Sequence, residues 1–319
     1  MKITYKDTIL VTGSTGFLGR HLIKILKKKY KRNKIIGLSS KDFDLTKEIE
    51  VKKMFIKLKP NIIIHLSAYS GGIEANRRFQ ADFFYINLIQ MIHIFNFSNK
   101  FKIKKLLYPM GSCSYPNSAK SPISENSMWN GLPVETSLGY SMAKKMGIVA
   151  SKCYKHQYKL NSSIFIPGNM YGEYDNFTTE GSHVIPALIR KFHEAKINKL
   201  KKITLWGSGR PIRDFIYVGD VARFMINFLE KDFSEPINIS YGQGYSINHV
   251  SKIIKKITKY QGKIIWDKSK PDGQKKRVMD VSKMKRLKFK PIIKLEFGIS
   301  KTYNWFKKNY FEKTDNIRL

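Results

Sequence analysis

Residues 8–19 read TILVTGSTGFLG: a short apolar, β-branched run, then three glycines, Gly13, Gly16 and Gly19, in the spacing G-x-x-G-x-x-G. Residues 20–30 follow with helical periodicity, so the order is strand, glycine turn, helix. Glycine permits the tight turn, lets the backbone approach a pyrophosphate and packs the helix close to the strand; the helix N-terminus supplies amide donors and a favourable dipole. In that setting the triplet reads as a dinucleotide-binding turn, with Gly13, Thr15, Gly16, Phe17, Leu18 and Gly19 facing the cofactor.

Outward from this turn the chain alternates. Residues 34–38 read as a second strand, 61–67 (NIIIHLS) as a third, 81–99 as a long helix, and 104–110 and 162–166 as two more strands. An apolar strand without polar alternation is covered on both faces, and βαβ alternation implies right-handed crossovers. The expected fold class is therefore α/β, a doubly wound parallel sheet of the Rossmann type with a smaller, discontinuous α/β lobe. Residues 1–167 plus about 214–240 are assigned to the cofactor domain, and about 168–213 plus 241–319 to the substrate lobe. Residues 215–218 read as a strand returning to the main sheet, and Asp220 as the cap of the helix after it.

The end of the second strand selects the cofactor. An acidic residue there would take the ribose hydroxyls and repel a 2′-phosphate. The chain has Ser39, Ser40 and Lys41 instead, which favours NADP(H). Asp42 and Asp44 follow, either reaching the adenine or capping the loop, with Leu45 beside them. Leu66 at the end of the third strand, Ala68 after it, and Pro167, Asn169 and Met170 after the fifth lie where ligands of such sheets collect. His65, inside the third strand, reads as a hydrogen-bonded core residue.

Composition narrows the function classes. The 319 residues are 42% hydrophobic and 13% aromatic, enough for a sizeable core. No run of about 18 apolar residues could span a bilayer, and residues 1–7 lack the pattern of a signal peptide, so a cytoplasmic protein without a membrane partner is expected. Two cysteines, Cys113 and Cys153, form no framework and fit a reducing compartment. The formal charge is +35, yet only 11 of the 59 cationic residues are arginine and the lysines are spread throughout. Nucleic-acid recognition favours clustered arginine, so no nucleic-acid partner is expected; the field still favours an anionic substrate.

In residues 138–147, LGYSMAKKMG, helical spacing puts Tyr140 and Lys144 on one face. A nearby ammonium favours the phenolate and lowers a phenol's pKa from near 10 toward the range for proton transfer to a carbonyl oxygen. The fourth strand delivers GSCSYP, residues 111–116, to the same edge, with Ser112 and Cys113 beside the pair.

Taken together these residues resemble the extended short-chain dehydrogenase/reductases and, within them, the GDP-L-fucose synthases, which act on GDP-4-keto-6-deoxymannose. Besides the glycine turn and Y-x-x-x-K, the resemblance rests on SAYSGGI, SCSYP, NMYGEYDNF, SHVIPALIRKFHEA, WGSGxPxR and KPDG in that order, over nearly the whole chain. It implies that Tyr140 protonates the C4 oxygen as NADPH delivers hydride, and that Lys144 holds the nicotinamide ribose. It also implies that Cys113 and His183 exchange protons at C3 and C5, where the ketone acidifies the C–H bonds. Asn169, His183, Lys191, Trp206, Arg213 and Arg277 match positions near the sugar nucleotide. The two arginines suit pyrophosphate or nucleotide, and Arg213 has a structural alternative as partner of Asp214 or Asp220. A homodimer is also implied.

The chain departs from the family pattern at three places. Gly111 occupies the position of the catalytic Ser/Thr, and Ser112 follows it. Losing one such donor costs roughly a hundredfold to a thousandfold in rate. Tyr69 stands about where a basic residue is usual, and Pro-Gly-Asn replaces Pro-Thr-Asn at 167–169. These changes lie near the sugar and suggest a substrate other than the standard 6-deoxyhexose, with a GDP-4-keto heptose as the alternative, so the expected substrate is a GDP-4-keto sugar, 6-deoxyhexose or heptose. The expected function is NADPH-dependent C4 reduction, with C3/C5 epimerisation chemically available. A reductase without epimerase activity and an NADP-binding regulatory protein are the alternatives.

Overall fold

A parallel sheet of six strands forms the larger half of the computed structural model, which describes residues 1–179, 181–233 and 235–312. Glu180, Ser234 and 313–319, the end of the expected second lobe, lie outside the described residues. In chain order the first half comprises β1 (Thr8–Thr12), α1 (Phe17–Lys29), β2 (Lys34–Leu38), α2 (Glu48–Leu58), β3 (Ile62–His65), α3 (Ile73–Arg78), α4 (Gln80–Lys100), β4 (Lys105–Pro109), α5 (Leu138–Tyr158) and β5 (Ser162–Pro167). The second half comprises β6 (Asn169–Tyr171), α6 (Val184–Ile197), β7 (Lys202–Trp206), β8 (Ile212–Tyr217), α7 (Val218–Asn227), β9 (Ile237–Ile239), β10 (Gly244–Ser246), α8 (Ile247–Thr258), β11 (Lys263–Asp267), β12 (Lys276–Arg277), α9 (Ser282–Arg286) and α10 (Leu295–Glu312).

The large sheet runs β2-β1-β3-β4-β5-β9, all parallel. Ile9, Leu10 and Val11 of β1 and Ile62, Ile63 and Ile64 of β3 are fully buried, as strands covered on both faces must be. Each such side chain stabilises the fold by roughly 1.5–3 kcal/mol. Because the strands share one direction, Thr12, Leu38, His65, Pro109 and Pro167 all end at one edge. Helix α1 closes with Lys27, Lys28 and Lys29, whose charges complement its C-terminal dipole.

The expected return of 215–218 to this sheet is not what forms. Those residues belong to β8, which sits in a separate small sheet between antiparallel β10 and parallel β12, with β6 also paired to it. The strand that rejoins the large sheet is β9, three residues long, too short to stand out from its polar surroundings in the sequence. Asp220 is not the cap of α7 either: Tyr217 holds that position, and the Asp220 carboxylate takes Arg223 and the amides of Ile292 and Ile293.

There are two buried clusters. One fills the large sheet and its helices; the other gathers α6, β7, β8, α8 and α10 around Phe177, Ile189, Phe192, Ile254, Ile299 and Phe306. Met279, Val281, Met284 and Phe289 pack into the first, although the sequence reading places them in the second lobe, while Phe215 and Tyr217 pack into the second. β8 and β12 are paired, and each leads from the second cluster into the first.

Candidate active site

The glycine turn is built as its spacing requires. Gly13 has φ of 65°, and a Cβ on it would lie 2.8 Å from the Ser67 amide nitrogen, so β1 and β3 close on each other there. A Cβ on Gly19 would lie 2.3 Å from the Gly13 carbonyl oxygen, which holds the first turn of α1 against the loop. Gly16 is the α1 N-cap and offers no side-chain acceptor, leaving the helix amides for a ligand. Phe17 packs against the core and Leu18 is 9% exposed, so both act through their backbone. Thr15 is exposed at the mouth.

A cleft beside the turn is lined by Thr12, Gly13, Leu38, Ser39, Ser40, Phe43, Asp44, Leu45, Ser67 and Gln90. Gln90 Oε1 is buried with no partner among the described residues, an acceptor suited to an adenine or ribose donor. Sequence reasoning missed Gln90, Phe43 and Ser67, because a mid-helix glutamine and a loop aromatic have no local signature. Asp42 accepts from the Ser39 amide and hydroxyl at 2.7 Å each, and Asp44 from the Thr46 amide and hydroxyl at 3.0 and 2.6 Å. Both carboxylates are loop caps, and these bonds hold both pKa values below the usual range. A dinucleotide fits this cradle.

Tyr140, Lys144, Cys113 and Arg277 come together at the same sheet edge. Helix α5 supplies the first two, and Gly139 lets it approach α4, since a Cβ there would lie 2.2 Å from the Gln80 carbonyl oxygen. Lys144 is 4% exposed, and its Nζ lies 4.1 Å from the centre of the Tyr108 ring. Burial brings its ammonium down to about 7, with the Cys113 thiol opposing. Burial, reinforced by Cys113, pushes the Tyr140 phenol up, contrary to the lowering expected from Lys144. Desolvation is the largest cause of both shifts, and neither group is among the causes of the other's. A phenol held protonated remains a proton donor to an oxyanion.

Cys113 lies in a short 3₁₀ turn, Ser112–Ser114, and its thiol is pushed up by burial while Ser141, Arg277 and Lys144 pull it back. A Cβ on Gly111 would lie 2.9 Å from Cys113 Sγ and 3.5 Å from Tyr140 Cε1, so position 111 faces the phenol but carries no hydroxyl. Ser112 is one position past it, and its carbonyl oxygen accepts from Arg277 Nη2 at 2.5 Å. Asn87 is occupied structurally, accepting from the Tyr69 amide at 3.0 Å and donating to the Tyr69 and Phe83 carbonyls.

Arg213 and Arg277 are register partners on β8 and β12. Gln274 ties them together: its carbonyl oxygen accepts from Arg213 Nη1 at 2.7 Å and its Oε1 from Arg277 Nη1 at 2.8 Å. The alternative of Arg213 pairing with Asp214 or Asp220 does not occur. Asp214 accepts from the amides of Gly242 and Met279, and Asp220 pairs with Arg223. Burial first, then mutual repulsion, lowers the pKa of Arg213, with Asp272 opposing. Among the described residues neither guanidinium hydrogen-bonds a carboxylate, which leaves the pair suited to an anion.

His183 caps α6, its side chain 64% exposed and Nδ1 3.4 Å from Oδ1 of buried Asp175. Lys191 is exposed on α6, and Trp206 is 71% exposed at the end of β7. Asn169 donates to the Asp214 carbonyl oxygen at 2.9 Å, while Leu66, Ala68, Pro167 and Met170 line the strand ends. Among the described residues no cluster of His, Cys, Asp or Glu could hold a metal, and no helix is long and apolar enough to cross a membrane.

Residues 9–241 match the family model described as the NAD dependent epimerase/dehydratase family. A GDP-L-fucose synthase of Sinorhizobium fredii is 37% identical over 303 residues, covering 94% of this chain and 96% of that protein. Among solved structures, a GDP-L-fucose synthetase from Naegleria fowleri bound to NADP superposes with a TM-score of 0.90 at 30% identity, covering 100% and 98% of the two chains. A GDP-mannoheptose C4 reductase from Campylobacter jejuni with NADP bound gives 0.87 at 28% identity, covering 96% and 100%.

Proposed function

Because the chain belongs to the NAD dependent epimerase/dehydratase family, we propose that it reduces the C4 ketone of a GDP-4-keto sugar with NADPH. The observation that carries this reading is the cluster of half-buried Tyr140 and Cys113 with buried Lys144, next to which Arg277, register partner of Arg213, bonds the Ser112 carbonyl oxygen. NADPH, bound along the glycine turn and the cleft at Ser39 to Leu45, supplies hydride. Tyr140, kept protonated by burial, donates its proton to the oxygen at C4 as negative charge develops there. Lys144 keeps a positive charge next to that oxygen, and the arginines hold the diphosphate. Ser112 takes the role of the missing hydroxyl at Gly111.

Epimerisation at C3 and C5 by Cys113 and His183 belongs to the same reading, supported by the thiol beside Tyr140 and by the carboxylate facing His183 Nδ1. Incubation with NADPH and GDP-4-keto-6-deoxymannose, or a GDP-4-keto heptose, in deuterated water tests both halves. Cofactor oxidation with deuterium at C3 or C5 is expected. Oxidation without deuterium leaves a C4 reductase only, and no oxidation with either sugar overturns the reading. The division into cofactor and substrate parts is also proposed, supported by the two buried clusters apart from the segments they exchange at 215–217 and 279–289. A homodimer through α4 and α5 is part of the proposal, supported by Phe84, Tyr85 and Ile92, which α4 leaves exposed, and is tested by light scattering. Cytoplasmic placement rests on the two unpaired cysteines.

A further inference from the structure

Lys144 has a partner that the reaction chemistry does not assign. Its ammonium lies over the face of Tyr108, a residue of β4 that is 1% exposed. That ring is clamped. On one side a Cβ at Gly147 would lie 2.4 Å from Tyr108 Cε1, so only glycine lets α5 rest on the ring. On another, His65 stacks at 5.8 Å with the planes 22° apart, and Phe95 leans in at 5.9 Å. His65 is in turn held by Thr12, whose hydroxyl is 2.8 Å from His65 Nδ1 and accepts from the Ser67 amide. A continuous packed path therefore runs from the residue before Gly13 to the ammonium.

We propose that Tyr108 is a positioning residue for the reductase reaction, its ring face holding the Lys144 ammonium in place and in its charged form. The inference rests on the reductase reading only for the use to which Lys144 is put. A buried ammonium must find compensation, and an aromatic face supplies it electrostatically without a competing proton acceptor. The groups facing Lys144 are Tyr140 on its own helix, Cys113 in the turn after β4, His65 on β3 and the Tyr108 ring. Burial holds His65 neutral, so it adds no second positive charge. The Tyr108 hydroxyl is buried with no partner among the described residues, so the ring, not the hydroxyl, performs the function.

Two readouts test this on the full-length chain. Competitive acetylation, followed by mass spectrometry of the peptide holding Lys144, reads the lysine's titration without any turnover. Ketone reduction across pH reads its use. Tyr108→Leu is expected to lower the Lys144 midpoint by about one pH unit, to move the alkaline limb of kcat with it, and to lower kcat on the order of 30-fold. Gly147→Ala, which displaces the ring without altering it, shifts the midpoint in the same direction and serves if Tyr108→Leu does not fold. Tyr108→Phe restores the midpoint to within a few tenths of a unit. An unchanged midpoint in a folded Tyr108→Leu or Gly147→Ala, or a shift as large in Tyr108→Phe, overturns the proposal. Absence of ketone reduction in the unmodified chain overturns the reductase reading alone, because acetylation still reports on the ring.

Discussion

The two halves of the site are built differently. Behind Tyr140 the groups are packed, although Tyr140 and Cys113 themselves are half-buried: Lys144 is 4% exposed, Tyr108 and His65 are 1% exposed, and glycines at 139 and 147 leave no room for a single added carbon. Around the sugar-nucleotide residues the surface is open, with Trp206 71% exposed and the His183 side chain 64% exposed. Proton transfer needs fixed distances and a low dielectric, which only a packed edge provides. Recognition of a diphosphate needs charge and reach, and two paired arginines on a short strand ladder supply both. The proposed chemical half is therefore backed by the tighter packing, an arrangement in which a heptose and a 6-deoxyhexose could share one reduction machinery.

The contrast can be broken most sharply at the phenol. Tyr140→Phe removes the proton donor while keeping the ring, and a fall in kcat of about a thousandfold with NADPH binding intact is expected from titration and stopped-flow measurements. A fall below tenfold would place the proton donor elsewhere. On the recognition side, Arg277→Ala removes the bonds to Gln274 Oε1 and the Ser112 carbonyl oxygen, and a rise in KM of about a hundredfold with a smaller change in kcat is expected from initial rates. Gly111→Ser puts the missing hydroxyl at the packed edge, but its Cβ meets Cys113 Sγ at 2.9 Å. Reduction is expected to fall about tenfold in the single variant and to recover in Gly111→Ser with Cys113→Ala, at the cost of any deuterium uptake. Trp206→Ala, at the open edge, is expected to raise KM only severalfold.

The smallest effect concerns stability and has a definite sign. Lys144 titrates near 7 when folded and near 10.5 when unfolded. Below pH 7 both states carry the charge, and burying it is fully unfavourable. Between pH 7 and 10.5 the unfolded chain binds the extra proton, so stability rises with pH and the penalty fades. Lys144→Met is therefore expected to melt higher than the unaltered chain at pH 6, by about 3 °C or more, and the gap is expected to narrow toward pH 10. A gap that widens with pH would contradict the burial of a charged lysine.

Much of this was legible from residue order. The glycine turn, the apolar strands and the Tyr140-Lys144 spacing are local signals, because a tight turn, a doubly covered strand and a helix face each constrain residues close in sequence. So was the choice of NADP over NAD, from the absence of an acid at Ser39. What lay outside that reach was contact between distant segments. Gln90, the Arg213-Arg277 register and the Tyr108 ring beneath Lys144 depend on strands and helices tens of residues apart, and no spacing rule encodes them. Burial also reversed one local expectation: a tyrosine and a lysine one helical turn apart lower the phenol's pKa in water, but in a dry edge desolvation dominates and raises it. The sequence by itself determined the doubly wound α/β class and the chemical groups. Only the tertiary structure decided which of those groups meet and what dielectric surrounds them, because both depend on how segments remote in sequence exclude water together.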